Sequence, residues 1–491
     1  YGNFVVNGVL GDESYAFFNL TDFSNLVKWC LYGESRPTHA LYAKVIDILN
    51  FNPTHTLSLT FAIVLIGFSI NCAMSYILIS NRIKPFVKNN SIISFVLILS
   101  IAAVYFNPFL TYGFQVPEAA VMTPIITALS ILAAYFISKN IGFNFKDFII
   151  SSLLVTVSMF GYQAIPFYFV FFSMFFYFFD YTVSLSLKQR YPLVIELLKR
   201  VSVYAVAVSS QILYMAFVIK FNSYRGNLPA INYRSNILSS VYFQLNDLWI
   251  SVYNFYPKYL FLVLVFLLVC TLIFIIFFDR SIEKKWSKLL IAFLTFLGTY
   301  ITIFVPTVLE NWYQPSMLFG FPALLPLLAI IILPFAINGR MHKYTVGICV
   351  FCLLVLNIFN YKAILRMHSA LFITNTMERY ISEYYINIVK EFEKNNATVI
   401  SKEAYCADEK YTAKFVKDKY APYRFAARYY ERLLKTFPDP NFIFKMQGLD
   451  KLERVQMPDE IFQKYFAGRN WDTLSPEQVV FENDTVYICL Y

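Results

Sequence analysis

Residues 258–288 read KYLFLVLVFLLVCTLIFIIFFDRSIEKKWSK. From Tyr259 to Phe278 there is no charge, and then Asp279, Arg280, Lys284, Lys285 and Lys288 arrive together. A helix needs about twenty apolar residues to cross the hydrocarbon of a bilayer, so this stretch reads as one complete span ending at a cation-bearing interface. Similar runs lie at 57–80, 91–106, 120–138, 148–161, 165–183, 201–221, 289–307, 317–337 and 344–361, about ten helices in all. The composition agrees, with 58% hydrophobic and only 15% charged residues, against roughly 25% charged in soluble domains. The fold class expected is an all-α polytopic membrane protein. Its net charge of +10 is what an excess of cations on one membrane face produces, so no nucleic-acid partner is inferred.

The loops alternate in charge. One set holds Arg82, Lys84 and Lys88; Lys139 and Lys146; Lys188, Arg190, Lys199 and Arg200; Arg280, Lys284, Lys285 and Lys288; Arg340 and Lys343. These are expected to be cytoplasmic. The other set, 1–56, 107–119, the turn GYQAIP at 161–166, 222–256, 308–316 and the tail from 362, is expected to face outward. Carrying residues 1–56 outward needs a preceding helix or a cleaved signal, and an uncleaved helix upstream of Tyr1 is the preferred reading. The chain then divides into a first outer loop (1–56), a bundle (57–361) and a small C-terminal α/β domain (362–491).

Within the first loop, Phe23, Leu26, Val27, Cys30 and Leu31, and then Leu41, Val45, Ile48 and Leu49, recur at helical spacing. Two helices too short to span are expected to lie flat in the membrane interface, in contact with lipid. Ile237, Val241, Leu245, Leu248, Trp249 and Val252 make a third such stripe. In the tail, Met377, Ile381, Tyr384, Tyr385, Ile388 and Phe392 predict an amphipathic helix, and ATVIS (397–401), NFIFKM (441–446) and TVYICL (485–490) predict strands. Cys406 and Cys489 adjoin predicted strands in a tail placed in an oxidising compartment, so a disulfide between them is expected.

The cores of the apolar runs lack ionisable residues, whereas coupled transporters keep such groups near the midplane. The outer face instead collects Asp12, Glu13, Asp22, Glu34, Asp47, Glu118, Asp247 and Glu310 with Arg36, Arg225 and Arg234. A site at that level suits a substrate with one end in lipid and the other in water. Transfer of a sugar from a polyprenyl phosphate needs a carboxylate base for the acceptor hydroxyl and a cation for the departing phosphate. It needs no metal, and the four histidines form no ligand cluster; no cofactor is expected.

Asp12 and Glu13 in GDES are candidate catalytic acids or a helix cap, and Glu118 is a candidate second acid or a dipole-favoured residue at a helix start. Arg36, Arg225 and Arg234 are candidate donor-phosphate contacts or snorkelling cations. Tyr162 and Gln163 are either donor-sugar contacts or a polar tight turn.

The order GDESYAFF (11–18), GESRPTHALYAKVIDIL (33–49), a span, NPFLTYGFQVPEAA (107–120) and SMFGYQAIPFYFVFF (158–172) resembles the bacterial Gtr-type, serotype-converting O-antigen glucosyltransferases of GT-C fold. The likeness runs to about residue 200. Asp12 and Glu13 match the family's paired acids, and Arg36 and Pro37 its Gly-Arg-Pro stretch, shifted by a two-residue insertion. The Arg that the family carries soon after the acids is absent, with Tyr15 and Ala16 in that region. The resemblance implies a metal-independent, inverting hexosyltransferase of the bacterial inner membrane, working on its periplasmic side. The implied donor is an undecaprenyl phosphate-linked glucose or related hexose, and the acceptor O-antigen or another surface polysaccharide. Membrane partners that make and flip the donor are implied as well. A lipid-linked glycan flippase, a polymerase or ligase of the same glycan, and a non-catalytic scaffold stand as the alternatives.

Overall fold

The structure, a computed structural model, describes residues 27–33, 36–51, 56–83, 91–112, 117–186, 188, 191–219, 248–250, 255–278, 284–310, 318–336, 342–396, 398–407, 452–469 and 474–490. Twelve helices carry labels below: α1 Pro37–Ile48, α2 Leu57–Ile83, α3 Ser91–Tyr105, α4 Pro108–Tyr112, α5 Pro117–Lys139, α6 Phe145–Gly161, α7 Phe167–Ser186, α8 Leu193–Ile219, α9 Leu260–Phe278, α10 Lys285–Glu310, α11 Leu324–Ala336 and α12 His342–Asn396. Among the described residues eight helices are long and apolar enough to cross a membrane. The chain is a multi-pass membrane protein. The runs at 148–161 and 317–337 fall on α6 and α11, which are shorter. Helix α11 begins at Leu324 because Pro322 lacks an N–H and disfavours helix in the residue before it, so 319–323 turn instead.

The chain divides into two compact units, with the border between Leu365 and Arg366, inside α12. In the first unit α7 is the most enclosed spanning helix. Its sequence FYFVFFSMFFYFFDYTVSLS is aromatic on every side, and a helix apolar all round has no face to give to water. Helices α5 and α6 approach closely through small residues. Ser151 Oγ donates to Ala133 O at 3.0 Å, Ser158 Oγ donates to Ile126 O at 2.8 Å, and Ser130 and Ser158 share a bond of 2.7 Å. Such contacts replace the hydrophobic drive that helices lack inside lipid.

Helix α2 meets α5 at Gly67, where an added Cβ would lie 2.7 Å from the Pro124 ring. One turn on, Asn71 Nδ2 donates to Pro124 O at 2.9 Å. A proline ring cannot rotate away, so Gly67→Ala should destabilise the bundle by about 1–3 kcal/mol. Thermal unfolding in detergent micelles checks this, and a wild-type midpoint would refute the close approach.

The second unit holds the C-terminal part of α12 against a sheet of order β2-β1-β4-β3, with β1 Lys402–Ala407, β2 Glu453–Arg454, β3 Val479–Glu482 and β4 Thr485–Leu490. Strand β1 runs parallel to β2 and β4, and β3 pairs antiparallel with β4. Strand β4 coincides with the predicted TVYICL. The predicted ATVIS is only the lead into β1, and NFIFKM lies outside the described residues. Ser382, Tyr385, Ile386 and Val389 form the buried stripe of this part of α12, displaced by about one residue from the predicted stripe. Tyr385 Oη donates to Cys489 O at 3.3 Å, and the Phe392 and Phe481 rings stack.

Cys406 and Cys489, the pair expected to form a disulfide, are not joined by one in the structure. They are Cα partners on β1 and β4, in one apolar cluster with Ile461 and Phe466.

Candidate functional site

Arg36 stands before α1 with Pro37 at the first helical position, where the missing N–H costs nothing. Its backbone N–H donates to Cys30 O at 2.7 Å, and its carbonyl accepts the Ala40 N–H at 3.0 Å. Helix α1 buries His39, Ala40, Ala43 and Ile46, and packs mainly on α6. The stripe Leu41, Val45, Ile48 and Leu49, from which the helix was inferred, is the outward one, and all four residues are exposed. A helix with apolar residues on both faces fits an interfacial place, one face on protein and the other toward lipid.

Helix α6 stops at Gly161, where a side chain would meet Met122 and Ile126 of α5. Tyr162 is extended, 163–166 turn, and Pro166 precedes α7. This geometry presents Tyr162 and Gln163 to Arg36. The Arg36 guanidinium lies over the Tyr162 ring, 4.9 Å from its centroid, and its Nε donates to Gln163 Oε1 at 3.2 Å. Arg36 and the neighbouring pair Tyr162 and Gln163, all candidate donor contacts by sequence, therefore form one cluster, although 127 positions separate Arg36 from Gln163. Gln163 is only 7% exposed, and its Nε2 has no hydrogen-bond acceptor among the described residues.

The same end of the bundle is built from rings and neutral hydrogen bonds. Tyr168 stacks between Tyr105 and Phe319, at 5.3 and 5.2 Å. Tyr105 Oη shares a bond with Ser75 Oγ at 2.8 Å. Asn107 donates through Nδ2 to Val104 O and Phe319 O, and its Oδ1 accepts the Leu110 N–H. Gly320 lies flat on the Phe167 ring, Phe109 meets Phe255 edge-on, and Tyr256 Oη donates to Asn360 Oδ1. Trp249 donates to Tyr300 Oη at 2.8 Å and packs edge-on against Phe321. Tyr214 on α8 donates to Leu31 O at 3.1 Å, fixing the segment before Arg36.

Asp12, Glu13, Arg225 and Arg234 lie outside the described residues. Glu118 is the second residue of α5, and its side chain is likewise outside them. Among the described residues no group of three His, Cys, Asp or Glu side chains could hold a metal.

At the opposite, cation-rich end the structure holds a buried charge network, and its cations Arg82, Lys199 and Arg200, expected in loops, lie within helices α2 and α8. Glu196, Lys199 and Arg200 lie within α8, and their side chains are 2%, 3% and 1% exposed. Glu196 bridges both cations. Lys199 Nζ also donates to Asn140 O at 2.9 Å and Gly142 O at 3.0 Å, and Arg200 donates to Ser173 O and Ser138 Oγ. Beside them Arg82 pairs with Asp180 and donates to Ser138 O. The legible signal was the i, i+3 and i, i+4 spacing of Glu196 with Lys199 and Arg200.

No known family matches the chain, and no curated protein or solved structure matches it either.

Proposed function

We propose that the protein is a GT-C-type hexosyltransferase that moves glucose or a related hexose from undecaprenyl phosphate to O-antigen or another surface polysaccharide, on the periplasmic side of a bacterial inner membrane. The observation that carries the reading is the cluster of Arg36, Tyr162 and Gln163. It combines a fork-shaped cation, an aromatic face and a buried amide at the head of a helix that fits the membrane interface. That combination suits a phosphate attached to a lipid on one side and a sugar on the other. Asp12 is assigned as the base that takes the acceptor's proton, Glu13 as the residue that orients the sugar or a cation, and Glu118 as the reserve acid. Arg225 and Arg234 are assigned to the donor phosphate with Arg36. The phosphate leaves without a general acid, and the reading needs neither a metal nor a cofactor. The charges at the other end serve a flippase poorly, because Lys199 and Arg200 are turned onto protein partners and not toward a path.

Purified protein should transfer labelled hexose from undecaprenyl phosphate hexose to the surface glycan. Arg36→Ala should slow that transfer by roughly 10- to 100-fold, through loss of a charge-assisted contact worth about 1.5–3 kcal/mol. No transfer by the wild-type protein with any hexose donor would defeat the reading.

A further inference from the structure

The unused atom in the cluster is Gln163 Nε2. A guanidinium only donates, so the amide atom turned toward Arg36 Nε is the oxygen, and the amide's orientation is settled by that bond. This leaves the two N–H donors of Nε2 buried without an acceptor. Buried donors are nearly always paired, and an orphan beside a cation calls for an oxygen that the described residues do not supply. The Arg36 charge, 3.2 Å from the amide, favours an anionic oxygen over a neutral hydroxyl. The Tyr162 ring covers one face of the guanidinium, so its hydrogen bonds are directed along the edge that meets Gln163.

We propose that Gln163 Nε2 donates to a phosphate oxygen of the polyprenyl phosphate, and that Arg36 is a positioning residue as well as a charge, holding the amide by its oxygen so that the NH₂ group faces the ligand. The proposal rests on the glycosyltransferase reading only for the identity of the lipid. It predicts two separable roles along one hydrogen-bonded chain, from Arg36 Nε to Gln163 Oε1 and from Gln163 Nε2 to phosphate.

The test is equilibrium binding of radiolabelled undecaprenyl phosphate to the purified protein in detergent micelles, with inorganic phosphate and phosphatidylglycerol as competitors. Gln163→Glu keeps an acceptor for Arg36 and removes the donor, so it should fold with the wild-type thermal midpoint and bind about tenfold more weakly or worse. Gln163→Leu should weaken binding less, since it adds no negative charge. Binding of Gln163→Glu within twofold of wild type overturns the proposal. So does full competition by either inorganic phosphate or phosphatidylglycerol at matched concentration, which would make the site one for free phosphate or for any lipid headgroup. Lost binding in Gln163→Glu together with no hexosyl transfer by wild type would sink the function and keep this site. Normal transfer with unchanged binding would do the reverse.

Discussion

Glu196→Ala should destabilise the protein by about 3–5 kcal/mol, the cost of removing one partner from a fully buried ion pair. Among the described residues Glu196 is the acid that forms an ion pair with both Lys199 and Arg200, whose side chains are almost entirely out of solvent. Deleting it leaves two cations facing carbonyls and a serine hydroxyl, which satisfy their hydrogens but not their charge. Glu196→Gln should lose less, because an amide oxygen can still accept one of the hydrogen bonds. Asp180→Asn should also lose less, since Arg82 is about a quarter exposed and can rehydrate. Unfolding in detergent micelles titrated with denaturant reads the three values. A loss below about 1 kcal/mol for Glu196→Ala would mean that water reaches these charges.

The second large effect is on rate. Asp12→Asn should lower hexosyl transfer by at least a hundredfold, the lower end of what a positioned base contributes, which spans about 10²–10⁴. The carboxamide keeps the shape and the hydrogen-bonding oxygen but cannot take the acceptor's proton, so expression and thermal midpoint should stay near wild type. Donor binding should stay too, because the phosphate contacts are assigned to Arg36 and Gln163. If Asp12→Asn turns over normally and Glu118→Gln abolishes transfer, the base comes from the start of α5.

The helices were legible because lipid makes hydropathy and length nearly sufficient: α9 could be read from LFLVLVFLLVCTLIFIIFF alone. What failed was chosen by tertiary contact. The inner face of α1 is His39, Ala40, Ala43 and Ile46, small and mixed, so only its greasier lipid side stood out. Strand β1, KEAYCA, carries Lys402 and Glu403, residues with little strand preference, and forms by pairing with β4. Arg36, Tyr162 and Gln163 were each visible as outer-face residues, but no local pattern encodes a contact across 127 positions. Lys199 and Arg200 looked like loop cations because charge alone marks a membrane side, and their burial depends on Ser138, Asn140 and Ser173 reaching them from other segments.

The two ends of the bundle are fastened by different chemistries, and this sets where it can yield. At the cation-rich end the Arg82–Asp180 ion pair joins α2 to α7, and Arg82 and Arg200 donate to Ser138 of α5 and Arg200 to Ser173 of α7, so a buried charge must lose its partners before these helices part. At the Arg36 end the ties are stacked rings and neutral amides, which slide and re-form at little cost. The bundle is therefore expected to yield first toward Gln163. Amide exchange should then be faster near Gln163 than near Arg200.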